Sequence, residues 1–595
     1  MSDKALAALL AIRRAIHDGT LFTMALAAML STGSAVWAVR QPDNKETILP
    51  WLFALGLVIA AAMRCDRVAI RRPWFTTERL RRSRLEIGLV VALTLLAFGL
   101  RLYRLNDFLP PFHGDEGEMG TLARAVLDGR NRPSYFGTGW MDHPSLFYYL
   151  QAGSLALFGD SGTGLRMLSV MFGSLCIPLV YAIGRTGWGP AAGITAATLM
   201  ATSHLCIQYS RIALNNIESV WAICLAMLLL VRMGAKEPAS SVIRWPMTQH
   251  ALLGIVLGLS QYLYYGSRLA IVVTAALLPV LWWQRRSSLR GIVMAMAAAC
   301  VALAPLLWNY VRFPATFLSR SLTVWAFSDA NVAHALGSGA SLPHDFWRLL
   351  LLQSRQTFGF FVAFGDATAF YAGSIPAFDA ITVVLFWSGL LVVLSRLRRF
   401  QELALFAWFA LGVLLAGILT NDPPNGPRLI MVVPAVFLIA GAGMHFLYGI
   451  GLRVLPRQGL WVASAAAAIA ILAANLQSYF VDYANHPYGL LSARIAHELR
   501  AAPPGYRSYL LGEPVFRANH GTLRFLAPTS HVIDAKRPED ASIRPGEGLL
   551  LIVLPHRIAD LAAVQALFPG GETSQASDRN GNVLYTVYRR SPQTQ

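Results

Sequence analysis

The sequence predicts a polytopic α-helical membrane protein of roughly 13–14 membrane segments with a small C-terminal extracytoplasmic α/β domain. Three observations predict it. Of 595 residues, 55% are hydrophobic and only 14% charged, and the mean hydropathy of +0.48 lies above that of soluble domains. Apolar runs long enough to cross a hydrocarbon core of ~30 Å, needing about 20 residues each, recur from Leu21 to Leu476 between basic or Pro/Gly-rich breaks. Beyond Gln477 the pattern changes to short extended and amphipathic stretches.

Taken in order, Arg13 and Arg14 precede the first apolar run with no convincing cleavage site, so the first helix is expected to be retained. Spans are expected at 20–39, 48–63, 86–103, 144–159, 166–185, 190–208, 216–232, 250–264, 268–283, 291–309, 380–396, 403–420, 428–447 and 459–477. Between Arg64 and Arg84 stand eight arginines against Asp66 and Glu78, which makes that loop cytoplasmic by the positive-inside rule. The same rule places Arg285 and Arg286, Arg396 to Arg399, and Arg453 to Arg457 inside. Residues 104–143, 310–379, 421–427 and the C-terminal segment then lie outside. These placements agree only if an odd number of crossings falls between 103 and 233, where four runs are seen. The run at 144–159 is the shortest, and a partial span there is the preferred repair.

The chain divides into 1–85, a helix pair with its basic loop; 86–477, a membrane domain with external loops 104–143 and 310–379; and 478–595, an external α/β domain. In the last, an amphipathic stretch at 490–499, a strand at 549–554 and a helix-like run at 559–567 precede Asp578-Arg579-Asn580-Gly581-Asn582, a hairpin signal. In the 310–379 loop, 345–364 reads as an amphipathic helix along the membrane surface. The net charge of +18 does not signal nucleic acid, because the arginines cluster in loops between apolar runs. The cysteines, at 65, 176, 206, 224 and 300, show neither a disulfide framework nor metal spacing.

The candidate chemistry begins at Phe112-His113-Gly114-Asp115-Glu116-Gly117-Glu118-Met119-Gly120, an acidic cluster on a loop after an apolar run. Two readings stand for it. Carboxylates at the start of a helix are favoured by its dipole whatever their function; alternatively they do chemistry at the membrane face. Asp142 stands immediately before His143-Pro144 and faces the same compartment as Asp115, and two acids bracketing one loop suit a general base and a group that orients the acceptor or tunes it. His113 and His143 flank the acids and are the candidates for holding a divalent ion, without tight ligand spacing. His204, near Tyr209, reads as a satisfied helix-interface histidine, and 421–426 as a rigid external turn.

GDEGEMG, then MDHPSLFYYL, then LRMLSVMFGSLCIPLVYAIGR resemble the membrane glycosyltransferases of the GT-C superfamily, specifically the protein O-mannosyltransferase and lipid A aminoarabinose transferase group. GPRLIMVVPAVFLIAG, residues 426–441, resembles that group's late Arg-plus-Pro segment. The resemblance covers 86 to about 477, and the first two helices look like an addition to it. It implies inverting transfer of a sugar from a polyprenyl-phosphate carrier to a lipid, protein or glycan acceptor on the outer face, with no cofactor required. The family's base falls on Asp115 with Glu116 beside it, and its second acid on Asp142 next to His143. The aminoarabinose transferases continue the first motif with Arg-Tyr where this chain has Glu118-Met119, which argues against aminoarabinose specificity and leaves a phosphate-binding arginine to be found elsewhere. Arg211, Arg268 and Arg428 stand at ends of apolar runs and can supply cationic donors, although charges near span ends also occur by snorkelling. Arg268 leads because Tyr262, Tyr264 and Tyr265 add hydroxyls and stacking faces.

The rival class is a lipid or polysaccharide transporter or flippase, which calls for internal repeats that the sequence does not show. A non-catalytic scaffold would tolerate loss of Asp115. The lack of a disulfide framework fits a bacterial inner membrane better than an oxidising lumen.

Overall fold

With no water in a bilayer core to satisfy backbone groups, apolar segments close their own hydrogen bonds as helices. The structure, a computed structural model, describes residues 19–42, 44–66, 84–105, 112–235, 246–342, 344–371, 375–485, 490–578 and 580–592. Arg13, Arg14, the body of the basic loop at 67–83 and Arg579 of the hairpin signal lie outside the described residues.

Helix α1 (Thr20–Arg40) packs on α2 (Leu49–Asp66), and α3 (Arg84–Leu102) follows. The loop helix α4 (Gly114–Leu127) and the short α5 (Leu146–Phe158) precede α6 (Gly162–Trp188). Helices α7 (Pro190–Thr202) and α8 (His204–Ser210) meet at a 60° bend. Next come α9 (Asn216–Gly234), α10 (Met247–Ser260), α11 (Arg268–Trp283) and α12 (Leu289–Arg312). The segment expected to be a loop with one amphipathic helix holds three helices, α13 (Pro314–Thr323), α14 (Asp329–Leu336) and α15 (Phe346–Gly359). Helices α16 (Ala380–Leu394), α17 (Phe400–Val413), α18 (Gly426–Leu429), α19 (Val433–Gly451) and α20 (Arg457–Gln477) complete the membrane region.

Among the described residues ten helices are long and apolar enough to cross a membrane, or up to eleven with the bent pair as one span; α5, α10 and α16 are shorter. Helix α5 has 13 residues and spans about 20 Å at 1.5 Å per residue, short of a ~30 Å core. With α5 as a partial span and the bent pair as one span, α6, the α7–α8 pair and α9 would give the odd number of crossings that the arginine distribution calls for.

Tight packing uses small residues, as interhelical contacts in lipid do. A Cβ on Gly389 of α16 would lie 1.9 Å from the Ile439 carbonyl oxygen of α19, and one on Gly443 would lie 2.3 Å from that of Leu385. The first helix pair sits against α10 and α12. Trp51 Nε1 donates to the Ala302 carbonyl at 3.0 Å, and the Asp66 carboxylate accepts from the Met247 and Thr248 amides at 2.7 and 2.9 Å, capping α10.

The C-terminal part opens with α21 (Leu490–Ala501) and builds a five-stranded sheet from β1 (Tyr506–Leu511), β2 (Val532–Asp534), β3 (Gly548–Val553), β4 (Glu572–Ser577) and β5 (Val583–Arg590), ordered β2-β1-β3-β5-β4. The pairs β1–β2 and β1–β3 are parallel, while β3–β5 and the hairpin β4–β5 are antiparallel. Strand β3 is buried along its whole length, as a central strand covered on both faces requires. Helix α22 (Gly521–Leu526) joins β1 to β2 and packs on α4, and α23 (Leu561–Leu567) lies between β3 and β4.

Candidate functional site

The acidic motif opens α4 through a reciprocal cap. The His113 imidazole accepts from the Asp115 amide at 3.1 Å, while Glu116 Oε1 accepts from the His113 amide at 3.0 Å. Consecutive helical residues point about 100° apart, so the two acids part company. Glu116 is fully buried and takes both Nε and Nη2 of Arg166 at 2.8 Å, together with the Ala213 amide at 2.8 Å. Both of its oxygens are thus engaged, and it ties α4 to α6 and to the loop after α8. Glu116, expected beside Asp115 in catalysis, is engaged in the structure in holding the site's frame.

Asp115 keeps 36% of its side chain exposed, with His113 Nδ1 3.7 Å from its carboxylate. Burial of the remainder pushes its pKa above the ordinary carboxylate value, against the downward pull of His113 and Arg320. Asp142 lies on the facing loop, where Met141 and Asp142 both adopt left-handed φ, 50° and 59°. Such backbone costs on the order of 1–3 kcal/mol per residue and is held by its surroundings. Here the Gly139 amide donates to the His143 carbonyl at 2.8 Å and the Tyr265 hydroxyl to the Met141 carbonyl at 3.1 Å. The Asp142 carboxylate accepts from Ser319 of α13 at 2.5 Å. His143 is buried between Trp140 and Tyr264, and burial, reinforced by Arg320, lowers its pKa to about 3. It is therefore neutral at physiological pH, with Nδ1 accepting from the Asn215 amide group at 3.1 Å.

The expected arginines divide. Arg211 is fully buried and donates to the carbonyls of Leu100, Arg101, Tyr103 and Arg104 at 2.7–3.2 Å. These are carbonyls at the end of α3 that have no intrahelical partner, so Arg211, expected in substrate binding, acts in the structure as a clasp on that helix end. Arg268 donates to Ser321 Oγ at 2.9 Å and to the Phe317 carbonyl at 2.8 Å, holding α13 in place with its guanidinium 4.3 Å over the Phe317 ring. Arg428 bonds Asn421 through Nη1 alone, at 2.8 and 3.1 Å, and its Nε and Nη2 have no hydrogen-bond partner among the described residues.

Arg320 of α13 was not singled out by the sequence reading. Half-buried, it acts electrostatically on Asp115, His143 and Arg428, and among the described residues its guanidinium makes no hydrogen bond or ion pair. It sits inside an amphipathic helix rather than at the end of an apolar run, and no local pattern in the sequence marks it; the neighbouring Ser319 donates to Asp142 only in the folded chain. Asp115, Asp142, His143, Tyr265, Arg320 and Arg428 thus come from five separate segments. Among the described residues no three His, Cys, Asp or Glu side chains form a metal-ligand group, and His113 and His143 each spend Nδ1 on a protein partner. His204 is a buried interface histidine, with Nδ1 2.7 Å from the Tyr371 hydroxyl rather than bonded to Tyr209.

These roles separate by experiment. Glu116→Gln strands the buried Arg166 guanidinium and should cost about 3–5 kcal/mol of stability, read as a lowered unfolding midpoint in detergent. Asp115→Asn, at a half-open position, should unfold with the wild-type midpoint.

The family model described as dolichyl-phosphate-mannose-protein mannosyltransferase matches residues 142–309, beginning at Asp142. An undecaprenyl phosphate-α-4-amino-4-deoxy-L-arabinose arabinosyl transferase of Pseudomonas aeruginosa is 27% identical over 205 residues, 33% of this chain and 35% of that protein. A second, of Pseudomonas fluorescens, is 24% identical over 284 residues, 43% of this chain and 46% of that protein. The chain thus matches between a third and a half of the length of these relatives. Among solved structures, ArnT from Cupriavidus metallidurans bound to undecaprenyl phosphate aligns with a TM-score of 0.51 at 13% identity, covering 85% of this chain and 99% of that one. The sequence matches thus cover part of the chain, and the fold of that solved structure is shared over most of it.

Proposed function

We propose that the chain is an inverting glycosyltransferase that moves a sugar from a polyprenyl-phosphate-linked donor to an acceptor at the outer membrane face. One observation carries this reading: Asp115, a partly enclosed carboxylate with a raised pKa, faces the charge of Arg320, which together with Arg428 offers guanidinium nitrogens unclaimed among the described residues. A base and a cationic phosphate clamp are the two groups this transfer needs.

In the reaction, Asp115 takes the acceptor's proton as its oxygen attacks the anomeric carbon. The bond between that carbon and the phosphate oxygen breaks on the opposite face, and polyprenyl phosphate leaves with the electron pair. Negative charge grows on the leaving phosphate, and fixed guanidinium donors in an enclosed site stabilise it. Asp142, held by Ser319, orients the acceptor or the sugar hydroxyls, with Trp140, Tyr264 and Tyr265 supplying ring faces around His143. Its relatives' names give undecaprenyl phosphate as the carrier. No observation favours the transporter alternative.

With short-chain polyprenyl-phosphate sugars as donors and lipid, peptide and glycan fractions as acceptors, the purified wild type should transfer label to one fraction and Asp115→Asn to none. Transfer by the Asn variant at the wild-type rate would remove Asp115 as base.

The raised pKa sets a pH dependence. Asp115 works ionised, so the acid limb of kcat/KM should fall above the usual Asp value of ~3.9. Arg320 pulls that pKa down, so Arg320→Ala should shift the limb to higher pH while raising KM for the donor; an unmoved limb contradicts the assignment.

We also propose that the site and the sheet domain are extracytoplasmic. In a background with the exposed Cys65 and Cys300 replaced by Ser, a cysteine at the exposed Gln575 should react with an impermeant maleimide on intact bacterial spheroplasts. One at Arg72 should react only after permeabilisation.

A further inference from the structure

The spacing of glycines in GDEGEMG is not used by the reaction described above. Gly114, Gly117 and Gly120 fall at i, i+3 and i+6 and share one face of α4. That face is covered by α22 of the C-terminal domain, with backbone against backbone. A Cβ on Gly117 would lie 2.1 Å from the carbonyl carbon and oxygen of Gly521, and one on Gly521 would lie 2.2 Å from the Gly114 carbonyl oxygen and 2.8 Å from the Glu118 amide. One on Gly120 would meet the Phe525 ring at 2.8 Å.

Directed contacts surround this approach. Thr522 Oγ1, fully buried, donates to the Phe112 carbonyl at 2.9 Å. The Phe112 and Phe525 rings stack at 5.3 Å and 4°. Arg524 pairs with Glu118 at 2.8 Å, and Arg124 Nη1 donates to the Phe525 carbonyl at 2.9 Å. Asp115 is bonded directly to Gly114, whose carbonyl is the atom Gly521 presses against, so the position of α22 is transmitted to Asp115 across a single peptide unit.

We propose that α22 is a positioning element for Asp115: the C-terminal domain, through the Gly521 contact and the Thr522 hydrogen bond, sets the position of the first turn of α4 and with it the rate of transfer. This rests on the reading of Asp115 as the base. Arg320 and Arg428 lie on α13 and α18, outside the contact, so donor binding is independent of it.

The test uses the full-length purified protein carrying Gly521→Ala. The added methyl must displace the Gly114 carbonyl by more than ~1 Å to reach an ordinary contact, and a misplacement of that size costs on the order of 10²-fold in rate. The expected result is a kcat lowered about 100-fold with KM for the donor unchanged. Thr522→Val, which removes a hydrogen bond and adds no bulk, should give a smaller fall in kcat with the same unchanged KM, and it decides the matter if the alanine variant does not fold. Wild-type kcat in the folded variants, or a loss of kcat that follows a loss of donor binding, overturns the proposal. Hydrogen exchange of peptides spanning 114–127 in the same variants reads the positioning without activity. Faster exchange is expected, and unchanged exchange overturns it. Should the wild type transfer no sugar while exchange responds as expected, the base assignment fails and the coupling of α22 to α4 stands.

Discussion

The buried ion pair between Glu116 and Arg166 is the constraint on which the rest of the site depends. An unpaired charge buried among membrane helices costs several kcal/mol, so each of these residues requires the other. Glu116 goes further by accepting the His113 and Ala213 amides, and one carboxylate thereby fixes the start of α4, the N-terminal part of α6 and the chain leaving α8. With that side of α4 fixed, its 3.6-residue repeat leaves Asp115 to project elsewhere. The adjacent acids of the motif are one structural and one open group, and their order in the chain is what makes them so.

The arginines follow a similar division, set by what the backbone needs. The bend between α7 and α8 and the end of α3 leave carbonyls without intrahelical donors, and inside a membrane protein these must be satisfied by protein groups. Arg101 supplies the Met200 and Ala201 carbonyls, and Arg211 those at the end of α3. Their guanidiniums are therefore consumed by the fold. Arg320, on a short helix outside the spans, meets no such demand among the described residues, and Arg428 gives only Nη1 to Asn421, so both retain donors for an anion.

The same logic applies to the surroundings of Asp142. Two consecutive left-handed residues are an unfavourable backbone choice, made tolerable by the Tyr265 hydroxyl and the Gly139 amide. The result is a carboxylate held beside α13, the helix that also bears Arg320 and that Arg268 clamps from the opposite side. Tyr265 and Arg268, expected to bind substrate, hold in place the elements on which Asp142 and Arg320 stand.

By itself the sequence determined the membrane class, the positions of nearly all the apolar helices and the hairpin that closes the sheet, and it singled out Asp115 and Asp142 as candidates, because hydropathy, turn chemistry and short motifs are local properties of the chain. Strands β1 and β2 escaped notice: β2 is three residues long, and neither carries the continuous apolar run that marks β3. Tertiary structure alone decided which charges are spent on the fold. Glu116 and Arg211 look as available in the sequence as Asp115 and Arg428, and only the partners brought to them from Arg166, Ala213 and the end of α3 consume them. Arg320 becomes a site residue only because α13 folds back over the loop of Asp142. The glycines of the acidic motif acquire their meaning from Gly521, several hundred residues away, a pairing that no local pattern encodes.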